Sequence, residues 1–440
     1  MSGDEQLHEG ERHAPAPPVP EGGVRGQIKL ATIDLGPLRR HRDFRLLFAG
    51  QAVTFFGSMV TYVALPYQAY RLSGSSLVVG LLGLVELVPL LLTAFVGGAL
   101  ADAVDRRWMV RITELSLAVA SGVLLANALL PSPRLWVIFV AAALMAGLDG
   151  LQRPSLEALT PRLVTREELP AAGALASLRG TMGMIAGPAV GGLLIATAGL
   201  PATYAFDIGT FVFSLGALSL MRAVPPPPDA ERPSLAAIAE GFRYARSRPE
   251  LLGTYGVDMV AMFFGMPMAL FPALADDLGG AGALGLLYAA PSIGSFVATA
   301  TSGWTGRVHR HGAAVCVAAV VWGVGITLLG FAPNLPLAVA ALVLAGGADM
   351  ISGVFRSIIW NQTIPDRLRG RLAGIEQVSY STGPLLGNVE AGVVASLAGL
   401  RGSIVSGGVL CVAGVGVAVL LLPSFWRYDA RAFVPEAAPG

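Results

Sequence analysis

Twelve apolar stretches, each long enough to cross the roughly 30 Å hydrocarbon core of a bilayer as a helix, constrain this chain more than any other feature. They run over 43–70, 76–101, 108–130, 135–157, 168–198 and 201–221, and again over 250–275, 281–304, 313–332, 335–358, 371–398 and 401–423. In lipid, backbone amides and carbonyls must be satisfied inside the segment, so such stretches are helices. A polar segment carrying the run Pro225–Pro228 separates the sixth from the seventh. The pattern predicts an all-α membrane protein with twelve transmembrane helices in two six-helix pseudo-repeats. The expected organisation is a disordered tail over 1–40, a bundle over 41–222, a linker over 223–249, a second bundle over 250–425 and a tail over 426–440.

Basic residues orient the predicted helices. All but four of the 30 lysines and arginines fall in the two tails and in alternate loops. Arg71, Arg134 and Arg401 fall in the other loops, and Arg179 is the basic residue expected well inside a span. Cytoplasmic loops carry the excess of Lys and Arg. Both termini are therefore expected in the cytoplasm, in a multi-pass protein of the inner (cytoplasmic) membrane.

Composition removes several function classes. Hydrophobic residues make up 54% of the 440 and charged residues 13%, against about 25% charged in soluble domains. A net charge of +1 gives no basis for a nucleic-acid partner. Lys29 is the single lysine and no phosphate-loop pattern surrounds it, so no nucleotide is expected to drive this chain. The five histidines, His8, His13, His41, His309 and His311, have no HExxH spacing. Cys316 and Cys411 fall inside apolar stretches and read as small core residues. No metal, no cofactor and no catalytic set is expected, which argues against an intramembrane enzyme. A sensor or scaffold would want a larger polar domain than either tail offers.

Two motifs carry a resemblance. The loop after the second stretch reads Gly97-Gly98-Ala-Leu-Ala-Asp102-Ala-Val-Asp105-Arg106-Arg107. It resembles the G-x-x-x-D-x-x-x-R-[RK] signature of the major facilitator superfamily, with Asp105 where the family often has glycine. Gly98 allows close helix approach, and Asp102 at a helix end can meet a helix N-terminus or an arginine. Gly98, Asp102, Arg106 and Arg107 are accordingly expected to form a cytoplasmic latch. The fifth stretch carries Gly183-Met-Ile-Ala-Gly187-Pro188-Ala-Val-Gly191-Gly192, which resembles the motif of exporters in the superfamily. Pro188 removes one helical hydrogen bond, and the glycines admit a close neighbour.

Further stretches resemble the branch that contains the enterobactin exporter. They include Ala128 to Pro133, Leu193 to Gly199, Pro225 to Pro228, Gly241-Phe242-Arg243, Pro272 to Asp276, Gly285 to Ala289 and Thr301 to Gly303. The resemblance implies outward transport of a siderophore-like small molecule by alternating access, energised by proton antiport. Broad multidrug efflux is the alternative. Ser58, after Gly57, stands where the family often has an acid, so any role of that acid is absent or moved.

Charges inside the stretches mark the candidate site. An acidic or basic residue at the centre of a membrane helix costs about 2.5–3.5 kcal/mol on an insertion scale, so each should face water, a partner or substrate. Glu86 and Asp258, both near the midplane, are the proton-coupling candidates. Asp149 and Arg153, four apart on one helical face, are expected to form a local ion pair in preference to touching substrate. Asp349 and Arg356, seven apart, also share a face. Arg179 requires either an acidic partner on a neighbouring helix or an anionic substrate. Glu114 and Glu376 are expected near the cytoplasmic end, and Asp207 and Glu390 in the outer third along an exit path.

Overall fold

The computed structural model describes residues 34–103, 105–224, 235–365 and 368–431, with side chains undescribed at 95–103, 235–239, 241, 370, 371, 373 and 374. Most of the expected N-terminal tail, the Pro225–Pro228 run and the last nine residues lie outside the described residues, as do the side chains of Gly98 and Asp102.

A short helix α1 (Gly36–Arg40) leads into α2 (Arg42–Ser73), α3 (Ser76–Ala103), α4 (Arg106–Ala128) and α5 (Leu135–Leu163). Helices α6 (169–198) and α7 (200–219) follow without a loop. They are parted at Gly199, whose φ of 80° ends one helix and starts the next, a conformation in which a side chain is strained. After α8 (Leu235–Ser247) come α9 (Pro249–Phe264), α10 (Phe271–Leu278), α11 (Ala281–Ala300), α12 (His311–Phe331), α13 (Leu335–Thr363), α14 (Arg369–Ala398), α15 (Leu400–Leu421) and α16 (Pro423–Trp426).

Ten described segments are long and apolar enough to cross a membrane. One of them, Arg166–Ser219, is α6 and α7 together, and the more polar α14 completes twelve traverses. The seventh traverse is broken: α9 and α10 are separated at 265–270, where Met268–Leu270 form one 3₁₀ turn.

Alternate helix ends meet on two opposite faces. On the face holding both described chain ends, Arg40 Nη1 reaches Glu168 at 3.0 Å, Arg107 donates to the Met221 carbonyl, and Tyr244 donates to the Thr363 carbonyl at 2.7 Å. Phe425 packs there against Gly253 and Gly312. On the far face, Asn127 and Arg134 exchange two hydrogen bonds, and Arg401 donates to the carbonyls of Gly330 and Ala332. We call these the tail face and the far face.

Helices α2–α7 pack chiefly on one another, and α9–α15 likewise. Two seams join the groups. One is α3 on α14, where Gly80 and Gly83 lie against the backbone at Asn388 and Leu385; the other is α6 on α11. Both seams sit in the far half of their helices. Large apolar side chains such as Val119, Val212, Leu397 and Leu420 remain exposed around the outside, as they must where the surrounding solvent is hydrocarbon rather than water.

Candidate functional site

A cavity of about 790 Å³ lies between the two groups of helices. Its mouth is at the tail face, marked by Arg153 and Glu157 of α5, whose side chains are 55% and 70% exposed. Its far end is the break in the seventh traverse. There the chain has surrendered helical hydrogen bonds at membrane depth, which is tolerated only where protein groups replace them. Asn388 Oδ1 of α14 accepts from the Ala269 amide at 3.0 Å, and the Tyr288 hydroxyl of α11 donates to the Met268 carbonyl at 3.0 Å. Tyr62 of α2 donates to Met268 Sδ at 3.1 Å and meets the Tyr288 ring edge-on, centroids 5.5 Å apart. Residues of α2, α11 and α14 thus close the cavity on the broken segment.

Glu86 lines this cavity, half-buried, and acts electrostatically on the hydroxyls of Tyr62 and Tyr288. It has no hydrogen-bond partner among the described residues. Arg179 lines the same cavity. Its Nε is buried without a hydrogen-bond partner, and no carboxylate of the described residues is within ion-pair distance. The expected acidic partner on a neighbouring helix is therefore not found. Asp149 and Arg153 also line the cavity, but the expected pair between them does not form. Arg153 Nε bonds Glu157 Oε1 at 3.2 Å instead, one turn towards the mouth, where water costs the two charges less desolvation. Ser58 lies on the wall as well.

The second group of helices holds a separate cluster. The guanidinium of Arg356 on α13 pairs with Asp258 of α9 and, at 3.5 Å, with Asp349 one helical face below it. It lies over the Tyr380 ring, 5.2 Å from the centroid. Glu376 sits half-buried within electrostatic reach. Arg356 is 2% exposed, so Arg179 is not the only cation well inside a span. Arg356 lies seven residues before the end of α13, within the apolar stretch over 335–358 and on the helical face of Asp349. Asp258 and Arg356, 98 positions apart, have no local signal that pairs them.

Two acids expected elsewhere are deeply buried. Asp207 is fully buried between α2, α4 and α7 and accepts from Thr61 and Ser121, each at 2.7 Å. It does not line this cavity. Glu114 is 1% exposed and accepts from Gln51 at 2.6 Å and Ser214 at 3.0 Å, while its Oε2 has no partner and the residue lines the cavity. Glu390 is half-buried on α14 and is not a lining residue of this cavity.

The glycine motif of α6 is a contact surface on two sides. Gly183 and Gly187 face Phe55 and Met59 of α2, and Gly191 faces the Val60 backbone. Gly192 meets α11: a Cβ added there would come within 2.6 Å of the Gly285 amide nitrogen. The helix is unbroken at Pro188, and its one non-helical residue is Gly199. At the loop motif, Asp105 caps α4 by accepting from the Arg107 amide at 2.9 Å. Arg106 is buried and donates to the Ala158 carbonyl at 3.3 Å. Both arginines therefore tie helix ends of the first group. Cys316 and Cys411 are free and buried, and no metal-binding cluster occurs among the described residues.

Comparison with known proteins follows the same lines. Residues 32–437 match the family of transmembrane secretion effectors. The enterobactin exporter of Citrobacter koseri is 31% identical over 413 residues, 92% of this chain and 98% of that protein. That of Shigella boydii is 30% identical over 396 residues, 89% of this chain and 94% of its own length. Among solved structures, a mutant peptide transporter POT superposes with a TM-score of 0.72 at 12% identity, covering 92% of this chain and 99% of that one. A bacterial homologue of the human lysosomal transporter Spinster, inward-facing and unoccupied, gives 0.68 at 16% identity, covering 92% of this chain and 100% of its own.

Proposed function

Because the chain belongs to the transmembrane secretion effector family of the major facilitator superfamily, we propose that it exports an acidic, siderophore-like small molecule across the cytoplasmic membrane, with the tail face in the cytoplasm. The observation that carries the reading is Arg179: a cation about a third of the way along α6, facing a cavity and without a counter-charge among the described residues. A half-buried guanidinium in that setting is completed by an acidic ligand, which its planar donors bind through two parallel hydrogen bonds. The names of the relatives support the siderophore class.

Export proceeds by alternating access. With the far half sealed by α3 on α14 and α6 on α11, the cavity admits substrate from the tail face; rocking of the two helix groups breaks these seams and opens the other side. Proton antiport supplies the drive, with Glu86 or Asp258 taking up the proton. Glu86 lines the cavity beside the tyrosines that hold the broken traverse. The loop motif around Asp102 serves as a latch at the tail face.

The test is uptake into inside-out vesicles. Wild-type protein should accumulate a catecholate siderophore on imposing a pH gradient, and Arg179→Gln should lower that uptake by about tenfold or more, the scale of one charge-assisted ion contact. Equal uptake by the variant would remove Arg179 from recognition. Broad drug efflux is favoured by one feature: Met59, Met145, Met184 and Met268 all line the cavity, and methionine adapts to unlike ligands. A deletion strain separates the two readings. Drug sensitivity supports the second, and siderophore retained in iron-limited cells supports the first.

A further inference from the structure

A groove on the outer side of the second group of helices plays no part in transport as described above. It has a volume of about 640 Å³ and lies between α11, α12 and α13. Its closed end is at Gly294 and Gly347, where α11 and α13 touch backbone to backbone. From there it runs to the tail face and ends at Trp304 and Arg310. Along α12 it extends from Arg310 to Val321, about 16 Å at a rise of about 1.5 Å per residue. That is close to half of a hydrocarbon core about 30 Å thick, the depth of one leaflet.

The walls are apolar, aliphatic except for Trp304 and Phe355. Arg310 is the one charged lining residue, and Thr301, at the mouth, already spends its hydroxyl on the Val297 carbonyl at 2.8 Å. Val297, Val317 and Leu344 are 50%, 53% and 43% exposed, so the groove opens sideways. A polar solute would find nothing inside to replace its lost water. The mouth is different. Arg307 and Arg310 are exposed and have no acidic partner among the described residues, and His309 lies between them. Asp429, within electrostatic reach of His309, is held by Arg431 through hydrogen bonds at 2.9 and 3.2 Å, which lower its carboxyl to about 2 and cancel its charge locally. Trp304, 46% exposed, sits at the same level, as interfacial aromatics do.

We propose that this groove binds one acyl chain of an acidic glycerophospholipid from the tail-face leaflet, with the phosphate held by Arg307 and Arg310. The chemistry divides along the groove: hydrocarbon against apolar walls within the leaflet, and an anion against two guanidinium groups at its surface. A neutral lipid would gain the first contact and not the second.

Native mass spectrometry of the full chain tests the site, with phosphatidylglycerol and phosphatidylcholine added at equal concentration. Wild-type protein should retain about tenfold more phosphatidylglycerol, the scale set by two arginines near a charged surface. The pair Arg307→Gln and Arg310→Gln together should bring the two lipids level. Val317→Trp, which fills the groove from its exposed side, should lower retention of phosphatidylglycerol about fivefold or more with both arginines intact. Arg246→Gln, a basic residue elsewhere on the tail face, should change nothing, and an unchanged thermal transition certifies the fold of each variant. Equal retention of the two lipids by wild type overturns the proposal. So does undiminished phosphatidylglycerol in the double variant or in Val317→Trp.

Discussion

Arg356 is held by two carboxylates and an aromatic face, yet its Nε has no partner. Removing the cation leaves Asp258 buried against nothing that offsets its charge. Breaking a buried pair from one side costs about 3–5 kcal/mol, whereas replacing both partners by apolar groups is close to neutral. Arg356→Met should therefore lower the thermal unfolding temperature in detergent markedly, and adding Asp258→Leu should restore most of the loss. If the double variant is as unstable as the single one, the pair contributes through something other than charge. Glu86 is a different case, because it has no fixed partner to lose. Glu86→Gln keeps its shape, so the fold should stand while uptake driven by a pH gradient collapses and exchange at equal pH persists. Gradient-driven uptake unchanged in Glu86→Gln assigns the proton to Asp258. The residues that sequence placed well are those whose meaning is local: a charge in an apolar run must be accommodated somewhere. What it could not supply was the partner. Arg153 chose Glu157 over Asp149, and Arg356 reached across to α9, because both outcomes depend on how far each group sits from water after packing.

Most helix boundaries were legible because the apolar runs end at glycine, proline or charge, although α5 and α13 run on to Leu163 and Thr363, beyond the expected ends at 157 and 358. Three elements were not. The break at 265–270 lies inside an apolar run, and its backbone is satisfied by Asn388 and Tyr288 from distant helices. The helix α8 lies in a segment that reads as linker, and it is anchored through Tyr244 to the end of α13. Gly192 was legible as part of a motif, but its contact, Gly285 on α11, was not. That contact makes a prediction. Gly192→Val would force the backbones of α6 and α11 apart, at an overpacking cost of about 1–3 kcal/mol. Transport should fall steeply while the protein still inserts and folds. Wild-type transport rates in this variant would show that the seam is not part of the cycle.

At the scale of the whole molecule, the open mouth and the sealed far half predict a one-sided accessibility. Ser58→Cys places a thiol on the cavity wall, and the two natural cysteines, 1% and 0% exposed, give little background. A membrane-impermeant maleimide should label Ser58→Cys in inside-out vesicles and fail to do so in right-side-out cells, if the tail face is cytoplasmic. Labelling only from the opposite side would invert the proposed orientation. The cavity is also lopsided. All its lining residues come from the first group of helices except Met268, Ala269, Tyr288, Leu385 and Asn388, while the Asp258–Arg356–Asp349 cluster belongs wholly to the second. With Asp258 as the proton carrier, chemical taste and energy supply are housed in separate parts of one polypeptide. Either could drift in evolution without dismantling the other, and a hybrid built from two relatives should inherit its cargo from the donor of its opening half.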